Sequence, residues 1–148
     1  MRRQAGKGEE SIAERFSEAS IIFVDVVNFT KLSSQLEPSE VVQMLDSIFR
    51  RFDSVSEIHG AEKIKTIGDG YMAATGVPKV DPQHALNAAR TALAFCECIK
   101  EAAKELGRDL EIRVGVHSGP VVAGVIGTKK FIYDMWWWCI FICKSLKV

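Results

Sequence analysis

The sequence has 148 residues, of which 47% are hydrophobic and 26% are charged. This composition is typical of one globular domain and leaves no room for a second domain of ordinary size. Nineteen acidic residues balance nineteen basic ones, so no broad positive field favours nucleic acid or an anionic membrane as a partner. Any phosphate binding must therefore be local.

The cysteines and the N-terminal residues give no sign of export. No two of the four cysteines have the Cys-x-x-Cys spacing, and we interpret them as reduced thiols of a cytoplasmic protein. Residues 1–10 are charged and lack the apolar region of a signal peptide. The nine apolar residues 135–143 are well short of the roughly 20 that cross a bilayer, so we expect no membrane segment.

The first third of the chain predicts a strand followed by an amphipathic helix. Residues 1–18 are interpreted as a linker or, from a capping-box pattern within them, as a short helix. The apolar, β-branched run 21–27 predicts a strand that is buried on both faces. Apolar residues then recur every three or four positions from Pro38, which predicts a helix that ends before Gly60.

The middle of the chain predicts a hairpin and a second helix. Runs 61–67 and 71–77 flank Gly68-Asp69-Gly70, and an Asp-Gly pair between two such runs is a strong hairpin signature. Asp81-Pro82 supplies the cap and first-turn proline of a helix that ends near Gly107. We expect its buried stripe to comprise Ala85, Ala89, Ala92, Cys96, Ile99, Ala103 and Leu106.

The remaining pattern predicts three short strands, at 111–117, 120–126 and 131–134, with a turn at Ser118-Gly119 between the first two. The order of elements is then strand, helix, hairpin, helix, strand, strand. This order predicts an α+β fold in which helices pack against a mostly antiparallel sheet.

Two aspartates are candidates for metal chemistry. Asp25 interrupts an apolar strand, where an ionised carboxylate requires a cation or an exposed strand end. Asp69 lies in the predicted hairpin turn, where aspartate is also common because of its backbone preferences. Together they offer hard oxygen ligands from two neighbouring strand ends, which suits a divalent metal that also binds phosphate. Strand-end capping by Asp25 and turn formation by Asp69 are the structural alternatives.

Other motifs carry less information about chemistry. Lys65 and Arg113 could each be a surface cation whose stem covers apolar surface. The segment from Gly124 to Lys130 lacks the spacing of a phosphate-binding P-loop. The sequence has no Gly-x-Ser-x-Gly elbow or Cys/His catalytic pairing, and its histidines lack metal-ligand spacing.

Three long motifs occur in this chain, and Tyr133-Asp134-Met135-Trp136 follows the last of them. Their order and their separations are much more specific to one family than any single motif is. The motifs are Phe23-Val-Asp25-Val-Val-Asn-Phe29-Thr30, Glu62-Lys-Ile-Lys65-Thr-Ile-Gly-Asp69-Gly-Tyr-Met72 and Arg113-Val-Gly-Val-His-Ser-Gly119-Pro-Val-Val-Ala-Gly124. Together they resemble the catalytic domain of class III adenylate and guanylate cyclases over residues 19–136.

The resemblance implies a ferredoxin-like sandwich and a head-to-tail dimer whose sites borrow residues from both chains. Asp25 and Asp69 would be the catalytic aspartates that bind two Mg²⁺ or Mn²⁺ ions, and Val26 would give a backbone carbonyl to a metal. Backbone amides near Phe29 and Thr30 would hold phosphates at the start of a helix.

The remaining implied roles concern the nucleotide. Arg113 would face the phosphates, whereas Lys65 and Asp134 of the opposite chain would read the purine edge and Met135 would contact the base through its backbone. A Lys donor suits adenine N1 and an Asp acceptor suits its exocyclic amine, whereas guanylate-type relatives carry Glu and Cys-like residues. ATP is therefore the expected substrate, with cyclic AMP and pyrophosphate as products. Asn28 replaces a frequent Gly, but Asn tolerates unusual backbone angles.

The resemblance ends at Trp136. The family continues with Gly-Asp/Asn-x-Val-Asn-x-Ala-Ser-Arg, whereas residues 137–148 form an apolar tail without counterparts of the Asn and Arg that position the ribose and stabilise the transition state. A later phosphate-binding Lys and the last strands and helix are also without counterparts, so we expect a truncated domain with impaired turnover. The second hypothesis is a catalytically silent module that binds nucleotide, or that forms a homodimer or a heterodimer with another cyclase chain.

Overall fold

A computed structural model describes residues 13–126 and 132–136. Within these residues the elements are β1 (Ala13–Val26), α1 (Phe29–Ser34), α2 (Pro38–Ile58), β2 (Glu62–Ile67), β3 (Gly70–Thr75), α3 (His84–Leu106), β4 (Ile112–Ile126) and β5 (Ile132–Trp136). None of the helices in this part of the chain combines the length and the apolar character needed to span a bilayer.

The strands form a five-stranded sheet in the order β2-β3-β1-β4-β5, and each neighbouring pair is antiparallel. The predicted strand 21–27 becomes the inner half of β1, which occupies the centre because its apolar residues can be buried on both faces. β1 to β4 with the two long helices follow the β-α-β-β-α-β order of a ferredoxin-like sandwich. The predicted fold class is confirmed.

The two long helices cover one face of the sheet. Alternating residues of β1, Ile22 and Val24, point into a core that α2 and α3 complete. At its centre the rings of Phe52 and Phe95 lie 4.7 Å apart, and the rings of Phe52 and Tyr71 lie 5.4 Å apart. Such tilted and edge-on aromatic contacts stabilise the packing beyond the buried area alone.

The opposite face of the sheet carries a second apolar cluster, which includes Ile21, Phe23 and Met72. β5 pairs with β4 at one edge, yet its Cα atoms come within 8 Å of those of β2 at the other edge. The sheet therefore curls around this second face until its two edge strands approach one another.

The N-terminal prediction was wrong for residues 13–18, which belong to β1 rather than to a linker or a helix. Phe16 pairs with Val121 of β4 and is 4% exposed. The register shifts between Phe16 and Ala19, and this irregularity breaks the apolar alternation that would have revealed the strand. Tertiary pairing therefore overrides the local capping-box pattern.

The turn predicted at Ser118-Gly119 was also wrong. These residues lie within the continuous strand β4, where Ser118 pairs with Ser20 and Gly119 pairs with Ala19. The hydroxyl oxygens of Ser118 and Ser20 lie 2.6 Å apart. Cross-strand pairing thus keeps these two residues in an extended strand, although a Ser-Gly pair in isolation is typical of a turn.

The helix at 84–106 begins two residues after its predicted first-turn proline. The predicted cap was also wrong, because the N-cap is Gln83 and makes no side-chain cap hydrogen bond. Asp81 instead stabilises the approach to the helix, since its Oδ1 accepts the backbone N–H of Gln83 at 2.9 Å and its Oδ2 accepts the side-chain amide of Asn87 at 2.7 Å.

The predicted stripe of this helix is confirmed at Ile99, which is buried, and at Ala92, Ala103 and Leu106, which pack partly buried against the core. It was wrong at Ala85 and Ala89 and omitted Phe95, whose large aromatic ring gains most from burial. The buried residues are Ala88, Thr91, Phe95, Ile99 and Ala102, whereas Ala85 and Ala89 are exposed.

The last predicted strand is confirmed with shifted bounds. The structure has Ile132–Trp136 where the sequence predicted 131–134. The apolar tail 137–148 lies outside the described residues, as do residues 1–12.

Candidate active site

Asp25 lies near the end of β1, between two neighbours in the sheet ladder. It is opposite Gly70 on β3 and opposite Arg113 on β4. The Arg113 guanidinium donates from Nη2 to Asp25 Oδ2 at 2.9 Å, with the Arg113 and Asp25 side chains 40% and 48% exposed. Asp25 thus has both features that the sequence required of it: a cation partner and an exposed strand end.

Asp69 occupies the two-residue turn between β2 and β3, since Ile67 pairs directly with Gly70. The predicted hairpin is confirmed, but the glycine with a positive φ is Gly68, at +56°. A Cβ on Gly70 would lie 3.0 Å from the Ile67 carbonyl oxygen, so the turn also requires glycine at that position. The two glycines together hold Asp69 beside the end of β1.

Asp69 and Asp25 line the same pocket, and their carboxyl groups lie close enough to interact. Burial, the polar interaction with the Asp25 carboxyl group and the negative charge of Asp25 together raise the pKa of Asp69 to about 6, against backbone hydrogen bonds from Asp69 itself and from Val26 that lower it. Two carboxyl groups this close disfavour full ionisation of both unless a cation joins them. The structure therefore brings together the two aspartates that the sequence paired.

The aspartates and Arg113 line one side of a pocket with a volume of about 280 Å³. Phe23 and Met72 contribute apolar surface to the same pocket. Gly115 pairs with Phe23 in the ladder and leaves space there, because it has no side chain. The pocket therefore combines a charged rim with an apolar floor, an arrangement that suits a small ligand with charged and planar parts.

The donor set fits a divalent cation of the Mg²⁺ or Mn²⁺ class. Both carboxylates are hard oxygen ligands, and a bound cation would offset the burial and the negative charge of Asp25 that together raise the pKa of Asp69. Among the residues that the structure describes, no group of three or more His, Cys, Asp or Glu side chains could hold a metal. Further ligands would have to be backbone carbonyls, water or substrate oxygens. The carbonyl assigned to this role is that of Val26, which is the last residue of β1 and follows Asp25 directly.

The chain turns from β1 into α1 within three residues of Asp25. Asn28 adopts the left-handed conformation, with φ 55° and ψ 31°, and its carbonyl accepts the Leu32 amide at 3.0 Å. The tolerance expected of Asn at this position is confirmed. α1 begins at Phe29, so the amides of Phe29 and Thr30 belong to the first turn, where backbone N–H groups lack acceptors within the helix.

Lys65 lies on the same sheet face as Asp25, but in the next row of side chains. It pairs with Met72, which in turn pairs with Phe23, two residues before Asp25. Lys65 is not among the residues that line the pocket. The structure thus separates the proposed base-reading lysine from the aspartates of its own chain.

Asp134 and Met135 lie on β5, opposite Gly124 and Ala123 of β4. Their side chains lie outside the described part of the chain. The backbone of β5 nevertheless approaches β2, the strand that carries Lys65. The curled sheet therefore brings together the two strands to which the sequence assigned base recognition.

Sequence reasoning missed the ion pair between Asp25 and Arg113 and the contribution of Gly115 to the pocket. The ion-paired residues are 88 positions apart, and only the strand register places them opposite one another. The available hint was the position of Arg113 at the start of a predicted strand, because residues at neighbouring strand ends meet in an antiparallel sheet.

Comparison with known sequences finds related proteins over the same region of the chain. A sequence model described as "Adenylate and Guanylate cyclase catalytic domain" matches residues 12–138. An adenylate cyclase of Mycobacterium tuberculosis is 41% identical over 125 residues, which cover 84% of this chain and 28% of that protein. The guanylate cyclase soluble subunit beta-2 of Rattus norvegicus is 40% identical over 127 residues, covering 85% and 19%. The chain thus spans less than a third of these relatives.

Solved structures give the same result. The catalytic core of a rhodopsin-guanylyl cyclase with converted specificity, in complex with ATPαS, superposes with a TM-score of 0.83 at 33% identity, covering 91% of this chain and 73% of that one. A non-canonical dimeric guanylyl cyclase domain of a RhoGC fusion protein from Blastocladiella emersonii superposes with a TM-score of 0.85 at 30% identity, covering 93% and 77%. The chain therefore belongs to the adenylate and guanylate cyclase catalytic domain family.

Proposed function

We propose that this chain is the catalytic region of an adenylate cyclase, which converts ATP into cyclic AMP and pyrophosphate in the cytoplasm. The observation that supports this proposal best is the convergence of Asp25, Asp69 and Arg113 at one pocket. Two adjacent carboxylates suit metal ions and the guanidinium suits phosphate, which are the two requirements of phosphoryl transfer.

In this proposal Asp25 and Asp69, with the Val26 carbonyl, hold two Mg²⁺ or Mn²⁺ ions. When bound, these ions promote loss of the proton from the ribose 3′-hydroxyl and offset phosphate charge. The 3′-oxygen then forms a bond to the α-phosphorus while the bond to the pyrophosphate oxygen breaks. Arg113 balances charge on the phosphates, and the amides of Phe29 and Thr30 bind phosphate oxygens at the start of α1.

The choice of ATP rests on Lys65 and Asp134, because the relatives include both adenylate and guanylate cyclases. Lys65 donates to adenine N1 and Asp134 accepts from the exocyclic amine, while Met135 contacts the base through its backbone. We infer that a second chain supplies these residues, because the resemblance places such sites between two chains, and the absence of Lys65 from the lining of the pocket agrees with this arrangement. This arrangement requires a head-to-tail homodimer or a heterodimer with another cyclase chain.

The alternative is a catalytically silent module that binds nucleotide or dimerises with a complete cyclase. This alternative is favoured by residues 137–148, which carry Lys144 and Lys147 as their charged residues and contain neither Asn nor Arg. The catalytic hypothesis and the nucleotide-binding form of the alternative require the same metal–nucleotide site. They differ in turnover, which an activity measurement resolves.

We expect Asp25→Asn and Asp69→Asn each to weaken binding of Mn-ATP by at least about 10-fold, because each removes an anionic ligand from a site that must offset a triphosphate. The measurement is isothermal titration calorimetry on the 148-residue chain. Asp46→Asn is the matched control, since Asp46 pairs with Arg50 on the surface of α2. Equal affinities for the wild type and both site variants would contradict the metal assignment.

A further inference from the structure

We propose that Arg113 acts as a counter-ion for Asp25 in the metal-free site and transfers from Asp25 to a nucleotide phosphate when metal and nucleotide bind together. The inference rests on the proposed function and adds a property to it. Metal alone should bind weakly, and nucleotide should strengthen metal binding, because Arg113 needs a new anionic partner before it leaves Asp25.

The geometry places Arg113 where it competes directly with a metal. Asp25 and Arg113 are direct cross-strand neighbours on β1 and β4, and the 2.9 Å contact engages Oδ2 of Asp25. The same carboxyl group lines a pocket with Asp69. A metal that binds both aspartates therefore competes with the guanidinium for the carboxylate of Asp25.

Electrostatics makes the displacement unfavourable without nucleotide. Arg113 offsets negative charge on a pair of adjacent carboxyl groups, whereas a divalent cation at Asp25 would lie beside the fixed positive charge of the guanidinium. The Arg113 side chain is 40% exposed, and its long stem allows the guanidinium to move while the backbone stays in the ladder. If the guanidinium moved without finding a new anionic partner, however, it would lose its ion pair with the Asp25 carboxylate.

A triphosphate supplies the missing partner. The planar guanidinium can form two parallel hydrogen bonds to phosphate as readily as to carboxylate. Arg113 lines the same pocket as both aspartates, so phosphates held by the metals lie within its reach. Metal and nucleotide then strengthen each other's binding by the same factor, as linkage requires.

The test measures Mn²⁺ binding to the 148-residue chain by electron paramagnetic resonance of free Mn²⁺, with and without 3′-deoxy-ATP, which lacks the reacting hydroxyl. We expect the nucleotide to tighten Mn²⁺ binding at least about 10-fold in the wild type, within the usual range of coupling between sites. Arg113→Met and Arg113→Gln should bind Mn²⁺ alone about 5-fold more tightly and lose most of this coupling.

Arg50→Met is the matched control, because it removes an Arg–Asp ion pair of 2.8 Å on α2, and its Mn²⁺ binding should equal that of the wild type. Arg113→Gln retains a hydrogen-bond donor, so it replaces Arg113→Met in the test if circular dichroism shows that Arg113→Met does not fold. If Asp25→Asn abolishes Mn²⁺ binding while neither Arg113 variant binds Mn²⁺ more tightly, the exchange is wrong and the metal assignment stands. If Asp25→Asn binds Mn²⁺ like the wild type, both are wrong.

Discussion

The 148-residue chain, assayed on its own, is expected to form cyclic AMP at least about 1,000-fold more slowly than a variant in which a family-type sequence follows Trp136. The grafted sequence contains the Asn and Arg of Gly-Asp/Asn-x-Val-Asn-x-Ala-Ser-Arg, for which residues 137–148 have no counterpart. A positioned arginine is worth roughly 10³ to 10⁵ in rate in related phosphoryl transfers, and one donor to a developing oxyanion roughly 10² to 10³. Intact metal ligands do not replace either contribution.

The matched control for this comparison is the same graft with its Asn and Arg both changed to Ala. It preserves the length of the added segment, so any gain from improved folding or dimerisation alone would persist in it. We expect its rate to be as low as that of the 148-residue chain. Equal cyclic AMP production by the ungrafted and grafted chains, in preparations free of contaminating cyclase, would contradict the catalytic assignment of the missing residues.

In the grafted protein, Lys65→Glu combined with Asp134→Cys is expected to lower kcat/KM for ATP by between roughly 30-fold and 10⁴-fold. Each mismatched group leaves a buried donor or acceptor unpaired, at about 1 to 3 kcal/mol. The preference should shift towards GTP, because Glu and a Cys-like residue are the guanylate-type pair. Both specificity constants would be measured in parallel reactions, by separating cyclic AMP from ATP and cyclic GMP from GTP.

Lys63→Glu is the control for the change of charge on β2. Lys63 lies on the same strand but contacts Asp53 of α2, with 3.1 Å between Nζ and Oδ1, on the helix-covered face. Its substitution should leave the ratio of the ATP and GTP specificity constants unchanged. If the double variant also kept that ratio, Lys65 and Asp134 would not be the residues that read the base.

The elements that sequence reasoning located correctly are those with strong local patterns. α2 begins at Pro38 as predicted and ends at Ile58, two residues before Gly60, because the apolar periodicity extends over many turns. The hairpin between β2 and β3 follows from two short apolar runs and a glycine-rich turn. The arrangement of helices packed against a mostly antiparallel sheet then follows from the sequence of elements.

The elements that it missed depend on partners distant in sequence. The outer half of β1 is polar at Glu14 and Arg15, and it is a strand because β4 provides a long antiparallel partner. Ser118-Gly119 is extended for the same reason. The rotation of α3 depends on where Phe95 meets Phe52, a contact that helical periodicity alone does not specify.

The candidate site likewise has features that the sequence predicted and features that it did not. Asp25 and Asp69 could be paired from the sequence, because each ends a strand of a predicted antiparallel unit. The close approach of their carboxyl groups and the role of Arg113 as a cation partner could not, since both depend on the exact register of β1 with β3 and β4. A shift of one residue would turn each of these side chains to the opposite face of the sheet.

The proposed function requires above all that Asp25 and Asp69 together hold the metal ions of a nucleotide site. The direct measurement is the anomalous diffraction of Mn²⁺ in crystals of the chain grown with Mn²⁺ and 3′-deoxy-ATP. We expect a Mn²⁺ peak within coordination distance of carboxylate oxygens from both aspartates, with the Arg113 guanidinium moved from Asp25 to a phosphate. Mn²⁺ bound to the phosphates but distant from both carboxylates would contradict the metal assignment.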